Sequence, residues 1–286
     1  MNIIKTTFLS ILSLLSLSAL CQSDSTHRSA DTIHVGGTII INKSGKTNAP
    51  KEERKKHPHH VNTSEMVLDL GFANWTDNTD YAFATSQQFL VNKPGQPTLN
   101  KNDLKLRTGK SSNVNIWFVM QRLDLIQHYV SLKYGLGIEM NNYRFNSPIS
   151  FKESGLNPYF PGSQVPNPYI LRDSISFSKN KLSADYATIP LMLNFRTNPK
   201  HPSQGLSISA GASVGYLYSC RNKQVSSERG KRKNHGEYGL EKWKFSYIGE
   251  LGFGGARLYG SYTPASIFEK GFSIIPYTIG IRLSNW

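Results

Sequence analysis

Cysteine is almost absent from this chain, with two residues in 286, Cys21 and Cys220. Once Cys21 is assigned to a cleaved leader, a single thiol is left and an internal disulfide is excluded. Long apolar runs are missing as well. After residue 21 no stretch approaches the roughly 20 consecutive apolar residues that a spanning helix requires. Acidic side chains are in deficit, 19 Asp and Glu against 33 Lys and Arg. Such a balance invites a nucleic-acid reading, but the cations gather in intervening segments instead of lining one helix or groove. Export, which the N-terminal residues predict, also argues against nucleic acid. Outer-membrane lipid, lipopolysaccharide phosphates and acidic surface sugars are the expected anionic neighbours.

What is present begins with Lys5, followed by Phe8, Leu9, Ile11, Leu12, Leu14, Leu15 and Leu17 and closing on Ala19-Leu20-Cys21. A positive start, a short apolar middle and a small-residue end predict a secretory signal peptide over residues 1–21. Acylation of Cys21 is disfavoured, because Leu20 stands where a lipoprotein signal has a small residue. Residues 22–64 are polar and predict a largely disordered periplasmic tail. Within it, "KEERKKHPHH" offers His57, His59 and His60, yet no carboxylate or cysteine partner stands at a fixed spacing, so no metal site is assigned. An exported chain that enters a membrane without a spanning helix must close a β-barrel.

Residues 65–286 carry the alternation such a barrel requires, apolar on one parity only. Met66, Leu68, Leu70 and Phe72 oppose Asp69 and Gly71; Val114, Ile116, Phe118 and Met120 oppose Asn113, Asn115 and Gln121. A third run sets Val130, Leu132, Tyr134, Leu136, Ile138 and Met140 against Ser131, Lys133, Gly135, Gly137, Glu139 and Asn141. Ala187 to Phe195 form the fourth and Leu206 to Tyr218 the fifth. Phe245 to Phe253, Ala256 to Tyr262 and Tyr277 to Leu283 complete eight. The intervening segments alternate long and short: 76–112, 123–127, 146–183, 197–204, 221–242, Gly254-Gly255 and 263–273. Short periplasmic turns and longer outside loops follow that rule, which puts both termini in the periplasm. The fold class is therefore all-β, an eight-stranded antiparallel transmembrane β-barrel of the outer-membrane type. Aromatics gather at the strand ends as an interface belt should: Tyr143, Phe145, Tyr186, Tyr216, Tyr218, Phe245, Tyr262 and Tyr277 outside, Tyr129, Phe195, Phe253 and Trp286 inside.

Particular motifs add a family likeness. "YGLGIEMNNYRF" (residues 134–145), "YATIPLMLNF" (186–195), "LYGSYTPASIFEKG" (258–271) and the closing "PYTIGIRL" resemble the outer-membrane β-barrel proteins of Bacteroidota, the PorT-like barrel family. A weaker likeness lies in "DTIHVGGTIIIN", residues 31–42. The resemblance implies insertion by the outer-membrane barrel assembly machinery and brings no catalytic site. One branch of the family works in type IX secretion. Trp286 departs from the pattern, being out of phase with Tyr277, Ile279, Ile281 and Leu283. Pro190 in the fourth strand removes a ladder hydrogen bond and predicts a bulge or local irregularity.

The inward parity gathers Asp69, Lys133, Glu139, Arg196, Glu250, Arg257 and Arg282. An eight-stranded barrel leaves room only for side chains, so these charges are expected to pair into a plug without a conducting path. "ERGKRK" puts Arg229, Lys231, Arg232 and Lys233 in a basic outside loop. Gly211-Ala212-Ser213-Val214-Gly215 satisfies G-x-S-x-G, the nucleophile elbow of serine hydrolases. That elbow requires a strand, a sharp turn and a helix, whereas this stretch alternates without interruption and has no histidine near it in the strand plan. The expected role is structural or surface-interactive, with no enzyme activity and no cofactor. The alternatives are a subunit of a secretion or envelope-assembly machine and a lipid esterase using Ser213.

Overall fold

The computed structural model describes residues 33–35, 38–40, 61–201 and 204–284. The predicted leader, His57, His59, His60 and Trp286 lie outside the described residues. In the N-terminal part, Ile33–Val35 and Thr38–Ile40 pair antiparallel, a short ladder inside a segment whose composition predicts none.

The barrel consists of β1 (Val61–Asp77), β2 (Ser112–Ile126), β3 (Val130–Arg144), β4 (Lys179–Arg196), β5 (Leu206–Ser226), β6 (Trp243–Phe253), β7 (Ala256–Tyr262) and β8 (Ile274–Leu283). Each strand pairs antiparallel with the next, and β8 returns to β1 from Ile274↔Asp77 to Leu283↔Leu68. Closure leaves no unpaired edge among the eight strands, which is the condition for backbone polar groups to survive in lipid. The alternation does the sorting. Leu70, Phe72, Leu136, Ile189, Leu191, Leu193, Leu251, Leu258, Ile279 and Ile281 stand exposed on the outer wall, while their neighbours turn into the lumen. Gly71 and Gly280 face each other on the inner side of the β1–β8 seam. A Cβ at Gly71 would lie 2.6 Å from the Tyr259 hydroxyl, so the two glycines form the flat seat for that ring.

Sequence periodicity first fails in the middle of β2. The β2–β3 register shifts between Trp117 and Val119, and Phe118 and Val119 both face outward. An extra residue in a period-2 strand moves everything beyond it to the other face. Met120, expected on the lipid side, is therefore in the lumen at 0% exposure, and Gln121, expected inside, faces out. The strand also runs on to Ile126, so the turn shrinks to Gln127, His128 and Tyr129, the first two with positive φ. The β2–β3 ladder shifts again between Asp124 and Ile126, and the β4–β5 ladder shifts between Asp185 and Tyr186. Pro190 adds no bulge. The β3–β4 ladder instead passes from Thr188↔Gly137 to Leu191↔Tyr134 without pairs between them.

The long connecting segments, expected outside the membrane, differ most from expectation. They are not loose loops. Residues 78–111 include the helix Tyr81–Ser86, capped by Asp80, and the strand Leu90–Val91. That strand pairs parallel with Tyr169–Arg172, which pairs antiparallel with Ile149–Lys152. Phe89, Leu104, Phe151, Ile170, Leu240, Phe268 and Phe272, drawn from all four outer segments, share one buried core with Trp75, Tyr143, Phe145, Leu182 and Tyr186. Tyr143, Phe145 and Tyr186 are consequently interior residues and not part of the interface belt. Tyr216, Tyr218, Trp243, Phe245, Tyr247 and Tyr262 supply that belt.

Candidate functional site

The lumen side chains meet because every second residue of all eight strands converges on one narrow axis. Arg282 of β8 forks onto Asp69 of β1, Nε to Oδ1 at 2.7 Å and Nη2 to Oδ2 at 2.8 Å. Its remaining Nη1 reaches Glu250 Oε2 of β6 at 2.7 Å. The other Glu250 oxygen accepts from Lys133 Nζ of β3 at 2.9 Å and from Arg257 Nη1 of β7 at 2.8 Å. Trp117 Nε1 and Asn115 Nδ2 also donate to Asp69, at 2.7 and 3.1 Å. Two carboxylates thus bind three cations across five strands. Glu139 forms a separate group, pairing with Lys244 and accepting from Asn141 at 3.0 Å.

Of the seven predicted lumen charges, the structure joins Asp69, Lys133, Glu250, Arg257 and Arg282 in one network and holds Glu139 beside it. Arg196 is not brought in. It borders a small cavity at the short-turn end with Arg257 and forms no ion pair among the described residues. Three charged participants escape the sequence reading. Lys244 shares the parity of Ser246 and Glu250 and is found by extending β6 to Trp243. Arg122 and Asp124 lie beyond the Phe118 bulge, where extrapolated parity gives the wrong face. They pair at 3.2 Å, and Asp124 also accepts from Ser131 at 2.7 Å and binds His128 at 2.5 Å.

Ser213 lies on the lumen wall at 4% exposure, opposite Pro190 on one side and Ser246 on the other. The strand runs straight through it, and no histidine among the described residues hydrogen-bonds to it. A cavity of about 20 Å³ bounded by Asp69, Glu139, Ser213, Tyr259 and Arg282 is the space beside it. That volume holds about one water molecule.

At the end with the long connections, the predicted basic loop is a β-hairpin. β5 continues to Ser226, and Gly230–His235 turns back along it, every residue exposed. Lys231, Arg232 and Lys233 are therefore strand residues with fixed register. Arg229 belongs to the turn and binds Asp173 at 3.1 Å, tying the hairpin to the adjoining segment. Tyr238 closes the same region. Its N–H donates to Glu153 at 2.9 Å and its hydroxyl to the Asn234 carbonyl at 2.8 Å. Burial pushes the phenol up to about 12, so it stays a donor. Arg172 binds Asp103 at 2.6 Å, joining that adjoining segment to residues 78–111.

Comparison with solved structures returns Ail, the attachment invasion locus protein of Yersinia pestis. It is 11% identical with a TM-score of 0.29, over 77% of this chain and 98% of that one. A second structure of Ail, in complex with the heparin analogue sucrose octasulfate, gives 11% identity and a TM-score of 0.28 over the same shares. No curated protein matches. The model of the outer membrane protein beta-barrel domain matches residues 65–265, from the first barrel strand into the last outer segment. A closed antiparallel barrel with an apolar outer wall and that match together establish that the chain belongs to the outer membrane protein beta-barrel domain family.

Proposed function

We propose that this protein is a non-conducting outer-membrane barrel whose task is to hold a folded crown at the cell surface, where it interacts with the lipid and glycan around it. Both termini then lie in the periplasm, and the chain carries no enzyme activity. The observation that supports this most directly is the plug. Asp69, Arg282, Glu250, Lys133 and Arg257 cross the lumen in an unbroken chain of contacts at 2.7–2.9 Å. Charges fixed to one another in this way offer a permeating ion neither water nor a free counter-charge. The common core of the outer segments supports the second half of the reading, since a packed crown presents a defined surface.

Planar-bilayer recording tests the plug. Reconstituted full-length protein is expected to give no conductance steps under applied voltage. Steady unitary currents that persist in the wild type would overturn the reading.

A further inference from the structure

One row of the outer sheet face, above the apolar belt, sets cations from neighbouring strands side by side. Register places Arg144 of β3 opposite Lys181 of β4, Lys181 opposite Lys223 of β5, and Lys223 opposite Lys233 of the returning hairpin strand. Arg107 extends the row, its N–H donating to the Arg144 carbonyl at 2.7 Å. The next register step holds Lys179, Val225 and Lys231. Tyr143, Leu182 and Asn222, the alternate residues of the same strands, are buried, so the cations point outward.

Directly opposed like charges, about 5 Å apart, work against strand pairing. A sheet shaped by stability alone would alternate the signs. Here none of Arg107, Arg144, Lys181, Lys223 and Lys233 forms an ion pair among the described residues. Asp185, lower on the same face, is taken by Arg221 at 3.1 Å. The polar contacts of the row are neutral: Arg144 donates to the Ser178 carbonyl at 2.8 Å, and Lys181 to the Asn142 side chain.

Height identifies the partner. Met140 and Tyr218 are the last lipid-type residues below the row on β3 and β5. Arg144 lies about 13 Å further along its strand, which a barrel tilt of about 40° turns into about 10 Å of height. The headgroup layer begins just outside the hydrocarbon core and is several ångströms deep. At about 10 Å above Met140 the row stands at the outer margin of that layer, from which long Arg and Lys side chains reach phosphate. We propose that Arg107, Arg144, Lys181, Lys223 and Lys233 form a binding row for the phosphate groups of an outer-leaflet glycolipid. The proposal rests on the reading above that the crown lies on the outer side of the membrane.

The test uses the full chain in lipid nanodiscs, probed with diphosphorylated lipid A and with the same lipid stripped of phosphate. In the variant R144Q/K181Q/K223Q/K233Q, affinity for the phosphorylated lipid is expected to fall by about tenfold or more, with weak binding of the stripped lipid unchanged. The single change Lys223→Gln should lose part of that affinity, and Lys223→Arg should keep it. The single variants carry the test if the quadruple variant fails to show the heat-dependent gel shift of a folded barrel. Equal binding of the two lipids by the wild type, or of the phosphorylated lipid by wild type and variants, overturns the proposal. Tighter binding of soluble polyphosphate than of the lipid also overturns it, assigning the row to a free polyanion. Labelling of Lys233→Cys in intact cells separates the two readings: a row that binds lipid in discs but is reached only from the periplasm sinks the orientation and not the binding chemistry.

Discussion

Glu250 accepts from Lys133 and Arg257 on one oxygen and from Arg282 on the other, all three at or below 2.9 Å. Removing its charge leaves three buried cations against the single carboxylate of Asp69. Breaking one partner of a buried ion pair costs about 3–5 kcal/mol. Glu250→Gln should lower the unfolding free energy in urea by that order, read from the shift of the unfolding midpoint at unchanged slope. An unshifted midpoint would mean that the network is not what holds the lumen. At this scale the sequence was informative. A charge on the inward parity of a narrow barrel has nowhere to go but to another charge, so Asp69, Lys133, Glu250, Arg257 and Arg282 were legible together. Their pairing was not, because which cation reaches which carboxylate depends on strand stagger, and Arg196 shares the parity without sharing the network.

The element that carries most information is β2. Two residues of like exposure, Phe118 and Val119, reverse the strand's two faces and bring Met120, Arg122 and Asp124 inside. Nothing in the composition of "IWFVMQR" marks the break, since apolar residues occupy both parities there. In a background without native cysteines, Gln121→Cys should react with a membrane-permeant maleimide, and Met120→Cys should be at least about tenfold slower because it has no exposed surface. The reverse order of rates would restore the uninterrupted alternation and remove the bulge. The hairpin beyond Ser226 teaches a related lesson. A run of Lys and Arg reads as a solvated loop because its charges carry no period, yet here it continues a strand and fixes Lys231, Arg232 and Lys233 in register.

For the whole molecule, the crown is the larger surprise. Phe151 stacks on Phe268 at 6.4 Å and meets Phe145 at 5.5 Å, while Phe268 meets Phe272 at 4.9 Å. These rings come from segments far apart in the chain, joined only once the barrel has placed their ends together. Phe151→Ala or Phe268→Ala should cost the crown about 3–5 kcal/mol. The expected readout is rapid protease cleavage within residues 78–111 and 145–178 while the heat-dependent gel shift of the barrel is kept. Protease resistance equal to that of the wild type would show that the outer segments do not depend on this core.

Period-2 alternation and the spacing of long and short connections determined the barrel, its strand number and the five charges that form the central plug. Those follow from the sequence because each is a local consequence of backbone geometry and of the cost of polar groups in lipid. The bulge at Phe118, the partners within the plug, the shared core of the outer segments and the row of cations across β3, β4, β5 and the hairpin were decided only by the tertiary structure. Each depends on register between strands, and register is set by the closed sheet as a whole.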